Sequence, residues 1–278
     1  MIYKEFYLED VCPRLPDVGT KTKATLYVPA LSPEIDMNRR FPCVVIYPGG
    51  GYGMTSDREA EPLALRFLGQ GIAAFIIRYA VSPVRFPTQL LETSAAVAWI
   101  REHAEEYHIN PKNITVMGFS AGGHAAASTG ILWKEDCIKD ILGYENGENR
   151  PDGMILCYPV ITSGEKAHRG SFVNLLGEFT CPELLEKVSL EKQVDDTTPP
   201  AFLWHTYDDG AVPVENSLYL ACALREHNVP CELHIYPHGV HGLSLGDLTS
   251  ANPDATNLIN PDVTGWIDLC IRWVKNLA

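Results

Sequence analysis

No stretch of this chain approaches the roughly 20 consecutive apolar residues that a membrane-spanning helix needs, and its 22 lysines and arginines nowhere form a cluster. Those two absences argue against a helical membrane anchor and against a basic footprint for nucleic acid or anionic lipid. Acidic residues are in excess, 35 against 22, for a formal net charge of −13; neutral and cationic small molecules suit such a surface. Eight cysteines (12, 43, 137, 157, 181, 222, 231, 270) are scattered, with no C-x-x-C spacing. Cys43, Cys157 and Cys222 lie inside apolar runs, where a free thiol acts as a small hydrophobe. The first ten residues are charged and lack the apolar h-region of a secretory leader. A reduced, soluble, cytoplasmic protein is the expectation.

What the chain does have is alternation of strand-like and helix-like segments. Residues 1–10 and 23–29 alternate polar and apolar and read as antiparallel edge strands. Residues 41–47, 72–79, 114–117, 153–160 and 201–205 are continuous apolar runs, the mark of strands covered on both faces; residues 231–236 read as one further strand. Between them, residues 57–70, 87–109 and 215–227 carry helical spacing, and 261–277 closes the chain as an amphipathic helix. Strand–helix alternation predicts an α/β fold: a mostly parallel sheet with helices on both faces and antiparallel N-terminal edge strands. Residues 1–278 contain no repeat or linker and read as one domain, with residues 161–198, mixed in Gly, Pro and charge, as a cap or specificity insertion.

One junction dominates the pattern. The run Ile114-Thr-Val-Met117 enters Gly118-Phe-Ser120-Ala-Gly122, followed by Gly123, Ala125, Ala126 and Ala127. The bare G-x-S-x-G pattern arises by chance in about one chain in ten of this length. Its position between a buried strand and a small-residue helix is what marks it as a nucleophile elbow, with Ser120 at the strained tip. No cysteine occupies such a turn.

A serine there is inert without a base, an acid that orients the base, and donors for the oxyanion. Each should sit in a loop after a strand, the acid before the histidine in chain order. After residues 201–205 come Asp208 and Asp209, adjacent and so pointing differently; one can serve. After residues 231–236 come His238 and His241, the latter followed by glycine and the better base. A His238-x-x-His241 metal site lacks further ligands at suitable spacing, and no cofactor motif is present: Gly49-Gly50-Gly51 has neither G-K-[ST] nor G-x-G-x-x-G. Those glycines follow an earlier central strand, where they can turn amides toward an oxyanion with that of Ala121. Tyr52, beside them, is expected at the substrate; Trp133 and residues 161–198 are candidate pocket walls. His124 reads as a packed, hydrogen-bonded residue, and His103, His108 and His227 as solvated.

With these residues assembled, the chain resembles the α/β-hydrolase serine esterases, and most closely their acetyl-xylan esterase-like or sugar-ester hydrolase subgroup. The resemblance covers nearly the whole chain. It rests on the motifs at residues 47–52, Arg78-Tyr79 with Ser82-Pro83, residues 116–124, Asn174-Leu-Leu-Gly177, residues 199–206, Asp209-x-x-Val212-Pro213 with Asn216-Ser217, and His241-Gly-Leu243. It implies Asp209 rather than Asp208 as the acid and His241 as the base. Pro48 stands where such loops usually begin with histidine. The resemblance further implies cofactor-free hydrolysis of small acyl, foremost acetyl, esters of sugars or xylo-oligosaccharides: Ser120 attacks, and the Ala121 and Gly50/Gly51 amides bind the oxyanion. A homodimer is compatible with it. The rival expectations are a prolyl-oligopeptidase-like serine peptidase, which shares the motifs but carries a large extra domain, and a non-catalytic binding protein on the same fold.

Overall fold

In the computed structural model, which describes residues 1–177, 181–252 and 254–277, the apolar runs become strands of one sheet. They are β1 (Ile2–Tyr7), β2 (Lys23–Val28), β3 (Phe41–Tyr47), β4 (Ala73–Arg78), β5 (Ile109–Phe119), β6 (Gly153–Cys157), β7 (Ala201–Thr206) and β8 (Cys231–Tyr236), in the order β1-β2-β4-β3-β5-β6-β7-β8. The β1–β2 and β2–β4 pairs are antiparallel, and every pairing from β4 to β8 is parallel. Parallel neighbours need crossovers, which place helices on both faces.

Side-chain alternation along the strands divides the core in two. Cys43, Val45 and Tyr47 join the layer covered by α3 (Thr88–Glu102), α4 (Ala121–Ile131) and α8 (Glu215–Glu226). Val44 and Ile46 join the layer covered by α2 (Glu61–Leu68) and α9 (Trp266–Asn276). Buried Trp266, Ile267, Cys270, Ile271 and Val274 make the inner face of α9, each large apolar side chain contributing about 2 kcal/mol on burial. Shorter helices complete the chain: α1 (Leu8–Val11), α5 (Asp136–Leu142), α6 (Arg169–Leu176) and α7 (Pro182–Lys187).

Several expected boundaries shift, each for a local reason. The helix expected over 87–109 ends at Glu102; His108 takes a φ of 56°, which no right-handed helix contains, and Ile109 pairs instead with Phe41. The helix expected from residue 57 begins at Glu61, because Pro62 is tolerated only in a first turn; Asp57–Glu59 form a separate 3-10 turn. The last helix starts at Trp266 rather than 261. Residues 161–198 carry α6 and α7, with 178–180 outside the described residues. Cys43 and Cys157 are buried as expected, whereas Cys222 faces outward from α8. His103 stacks on Trp99 rather than being simply solvated, with ring centroids 4.4 Å apart.

One buried acid couples the fold to pH. Glu92 on α3 is 2% exposed and its Oε2 accepts the Ala80 amide at 2.7 Å. Burial pushes its carboxyl up to about 7, against the pull of that hydrogen bond. The folded chain therefore holds this proton more tightly than the unfolded chain, and the associated stability is lost as pH rises from about 4.5 through about 7. The full effect is about 3 kcal/mol. Glu92→Gln is expected to gain in melting temperature relative to the parent between pH 5 and pH 9; a constant difference across that range would contradict this.

Candidate active site

β5 delivers Ser120 in the left-handed region, φ 54° and ψ −118°. The turn is tight enough that a Cβ on Gly118 would lie 1.9 Å from the Gly122 carbonyl oxygen. Among the described residues six non-glycine positions have positive φ, and four of them, Tyr52, Ser120, Tyr158 and Ser244, are in the loops around this serine. Strain of this kind costs about 1–3 kcal/mol per residue and gathers where side chains must be held in one pose.

The structure brings Ser120, His241 and Asp209 together. His241 Nε2 lies 2.8 Å from Ser120 Oγ, and Nδ1 lies 2.6 Å from Asp209 Oδ2. Because a carboxylate only accepts, Nδ1 carries the proton and Nε2 is free to take the serine's. Asp209 Oδ1 accepts the amides of Ala211 and Val212 at 2.9 and 3.0 Å. Burial opposes ionisation of Asp209, but hydrogen bonds from His205 and His241, and the charge of His241, outweigh it and hold the carboxyl well below the usual range. Asp208 points away and pairs with His238 at 3.0 Å; the two adjacent acids diverge, and so do the two histidines.

Around the serine, Gly50 and Gly51 take φ of 135° and 63°. The Gly49 amide is already committed to Glu59 Oε2 at 2.8 Å, leaving the two glycines after it as the loop's candidate donors. The Ala121 amide is in the first turn of α4, where N–H groups have no intrahelical partner. Asn174 on α6 donates to the Gly51 carbonyl at 2.9 Å, so residues 161–198 touch the loop directly. His168 precedes α6 and accepts the Ser171 amide; burial and the nearby charge of His241 lower its pKa.

Two expected pocket residues stand elsewhere. Tyr52 is 2% exposed and its hydroxyl donates to His124 Nδ1 at 2.8 Å, so it braces the loop from beneath rather than facing open space. His124 donates its one ring N–H, on Nε2, to the Val188 carbonyl at 2.9 Å, and burial lowers its pKa to about 4; it is a packed, neutral residue. Trp133 follows the far end of α4, about 15 Å from the elbow at 1.5 Å per residue, beside Arg150.

Sequence reasoning misses three residues. His205 is fully buried behind Asp209, with Nε2 3.3 Å from Oδ2 and 3.0 Å from the Val212 carbonyl, and Ser217 bonded to its Nδ1 at 2.8 Å. It lies inside a motif already singled out, residues 199–206, and Ser217 within another. Tyr158 packs edge-on against His241 with centroids 5.1 Å apart. Buried Glu59 carries no sequence signal, since it abuts an ordinary amphipathic segment.

A parallel sheet crossed by helices on both faces, with a strained serine at the end of its central β5, is the α/β-hydrolase fold. The chain belongs to the BD-FAE family, whose model matches residues 30–224, a span that includes Ser120 and Asp209 and stops short of His241. It is 43% identical over 210 residues to endo-1,4-beta-xylanase B of Butyrivibrio fibrisolvens, covering 74% of this chain and 33% of that protein. It is 34% identical over 209 residues to an acetylxylan esterase of Xylanibacter ruminicola, covering 73% and 41%. Among solved structures it is similar to an acetyl ester-xyloside bifunctional hydrolase from Caldicellulosiruptor lactoaceticus, at 37% identity, a TM-score of 0.82, and coverage of 99% and 96%. The chain spans only about a third to a half of the length of the curated relatives it matches.

Proposed function

We propose that this protein is a serine carboxylic-ester hydrolase acting on small acyl esters, foremost acetyl esters of sugars or xylo-oligosaccharides. The observation that carries the proposal is the continuous run from Ser120 Oγ through His241 to Asp209 at 2.8 and 2.6 Å. Ser120 attacks the ester carbonyl while His241 takes its proton and returns it to the leaving alcohol; Asp209 fixes the tautomer and stabilises the imidazolium. The amides of Ala121 and Gly50/Gly51 receive the oxyanion. Water, activated by His241, then releases the acid. Asn174 and His168 support a role for residues 161–198 as a cap over this site.

The sugar part of the reading draws on the relatives' names; a cleft of about 660 Å³ opens on the Asp208 and His238 side of His241, lined also by Ala211, Asn257 and Asn260 but not by Ser120 or the glycine loop. The xylanase relative is a much longer chain, and glycosidase chemistry needs two carboxylates flanking the sugar. The eight free cysteines fit a reducing compartment such as the cytoplasm.

The deciding experiment assays the purified protein on acetylated xylo-oligosaccharides, on p-nitrophenyl esters of increasing acyl length, and on a proline amide. Acetate release, with kcat/KM falling about ten-fold or more from acetyl to long acyl chains, is the expected result. Faster turnover of the proline amide would place the protein among peptidases, and failure to react with a fluorophosphonate probe would make it a binding protein.

A further inference from the structure

Glu59 is 4% exposed and stands between the two loops that the proposed reaction must hold in register. Its Oε2 accepts the Gly49 amide at 2.8 Å, at the start of the loop presenting Gly50 and Gly51. Its Oε1 accepts the Tyr158 hydroxyl at 2.7 Å. Tyr158 in turn accepts the Ser244 amide at 2.9 Å, in the loop presenting His241, and its ring meets the imidazole edge-on. The preceding residue repeats the tie: Arg58 donates to the carbonyls of Gly242 at 2.7 Å and Ser250 at 2.6 Å, and its own carbonyl accepts the Ser244 hydroxyl at 2.7 Å.

Both carboxyl oxygens of Glu59 act as acceptors, and the Ser244 amide occupies Tyr158's lone pair so that the phenol proton points at Oε1. That arrangement suits a carboxylate. A buried charge is costly, and a neutral side chain could hold a turn at less expense. We infer that Glu59 is a positioning residue for the ester hydrolysis proposed above, a fixed negative charge that sets the glycine-loop amides at the oxyanion and, across Tyr158, faces the positive imidazolium that His241 becomes. The groups around His241 are Asp209, Ser120, Tyr158 and, across the site, His168; those around Glu59 are Tyr158, Arg58, Tyr79 and His241. Burial raises the Glu59 carboxyl, while hydrogen bonds from Tyr158 and Gly49 and the charge of His241 act against that rise.

Glu59→Gln keeps the shape and removes the charge. On p-nitrophenyl acetate it is expected to lower kcat about ten-fold, a fraction of the cost of losing an oxyanion donor outright, with KM close to the parent's and a lower melting temperature, because the Gln amide group meets a donor where one carboxylate oxygen accepted. The acid limb of its kcat/KM profile should move to lower pH, because a nearby negative charge no longer favours the protonated base. Glu59→Asp, which retains the charge, should leave that limb in place. Parental kcat and pH profile in Glu59→Gln, or a loss of kcat with the acid limb unmoved, would overturn the inference. Should Glu59→Gln fail to fold, Tyr158→Phe carries the test: several-fold lower kcat at unchanged KM supports it, and parental kcat refutes it. A parent protein inert toward every ester would remove the hydrolase reading and this inference with it, whereas an active parent and an indifferent Glu59→Gln would remove this inference alone.

Discussion

Ser120→Ala is expected to lower p-nitrophenyl acetate turnover by about 10⁴–10⁶-fold, the range seen when a serine nucleophile is deleted from such a constellation. The residual rate over water would come from the oxyanion amides and binding. The fold should survive. Ser120 is 8% exposed, its hydroxyl bonds only to His241 among the described residues, and alanine at φ 54° bears much the same backbone strain as serine. A melting temperature near the parent's together with lost activity would separate chemistry from stability. Activity above a hundredth of the parent's would mean that another residue attacks.

Gly122→Ala is expected to act the other way, through the fold. A methyl group there would lie 2.1 Å from the Tyr47 carbonyl oxygen and 2.5 Å from that of Pro48. Both are backbone atoms at the end of β3, so no flexible side chain can move aside. Nor can α4 retreat: every one of its residues is buried, and a Cβ on its next glycine, Gly123, would sit 2.7 Å from Pro159. Overpacking against fixed backbone costs about 3 kcal/mol or more, a large share of the roughly 5–15 kcal/mol that holds a domain folded. Gly210, where an added methyl would meet nothing within 4 Å, is the control, and its alanine variant should stay within about 0.5 kcal/mol of the parent. Denaturant midpoints of the three proteins test this; equal midpoints for Gly122→Ala and Gly210→Ala would show that the elbow has slack the geometry does not reveal.

The parts of the site that can be read from sequence are those set by local chain. Ser120, Asp209 and His241 each follow a strand within a few residues, and strands buried on both faces announce themselves as apolar runs. The choice of Asp209 over Asp208 comes through a resemblance, since spacing alone leaves both open; in the structure each finds a different histidine. What escapes reading depends on contacts between distant segments. The Glu59–Tyr158 bond joins residues 99 positions apart, and His205 matters only because β7 and the loop after it fold back on each other. Adjacency to the glycines assigns Tyr52 to the substrate, but its side chain follows the positive φ of its own backbone, 58°, to His124 beneath. The helix expected over 87–109 shows the converse: helical spacing in one stretch yields to the positive φ of His108 and to the pairing of Ile109 with Phe41.

The sheet order has a consequence for how the site comes into being. Ser120 and His241 are 121 residues apart in the chain, and β8, which carries the histidine loop, is both the last strand and an edge of the sheet. A chain emerging from synthesis can complete seven strands and an intact elbow by Thr206 while still holding no base. Pairings of such long sequence separation are slow to form because the intervening chain must be ordered first. On the proposed mechanism, Ser120 would stay an ordinary alcohol until β8 docks and brings the His241 loop to it.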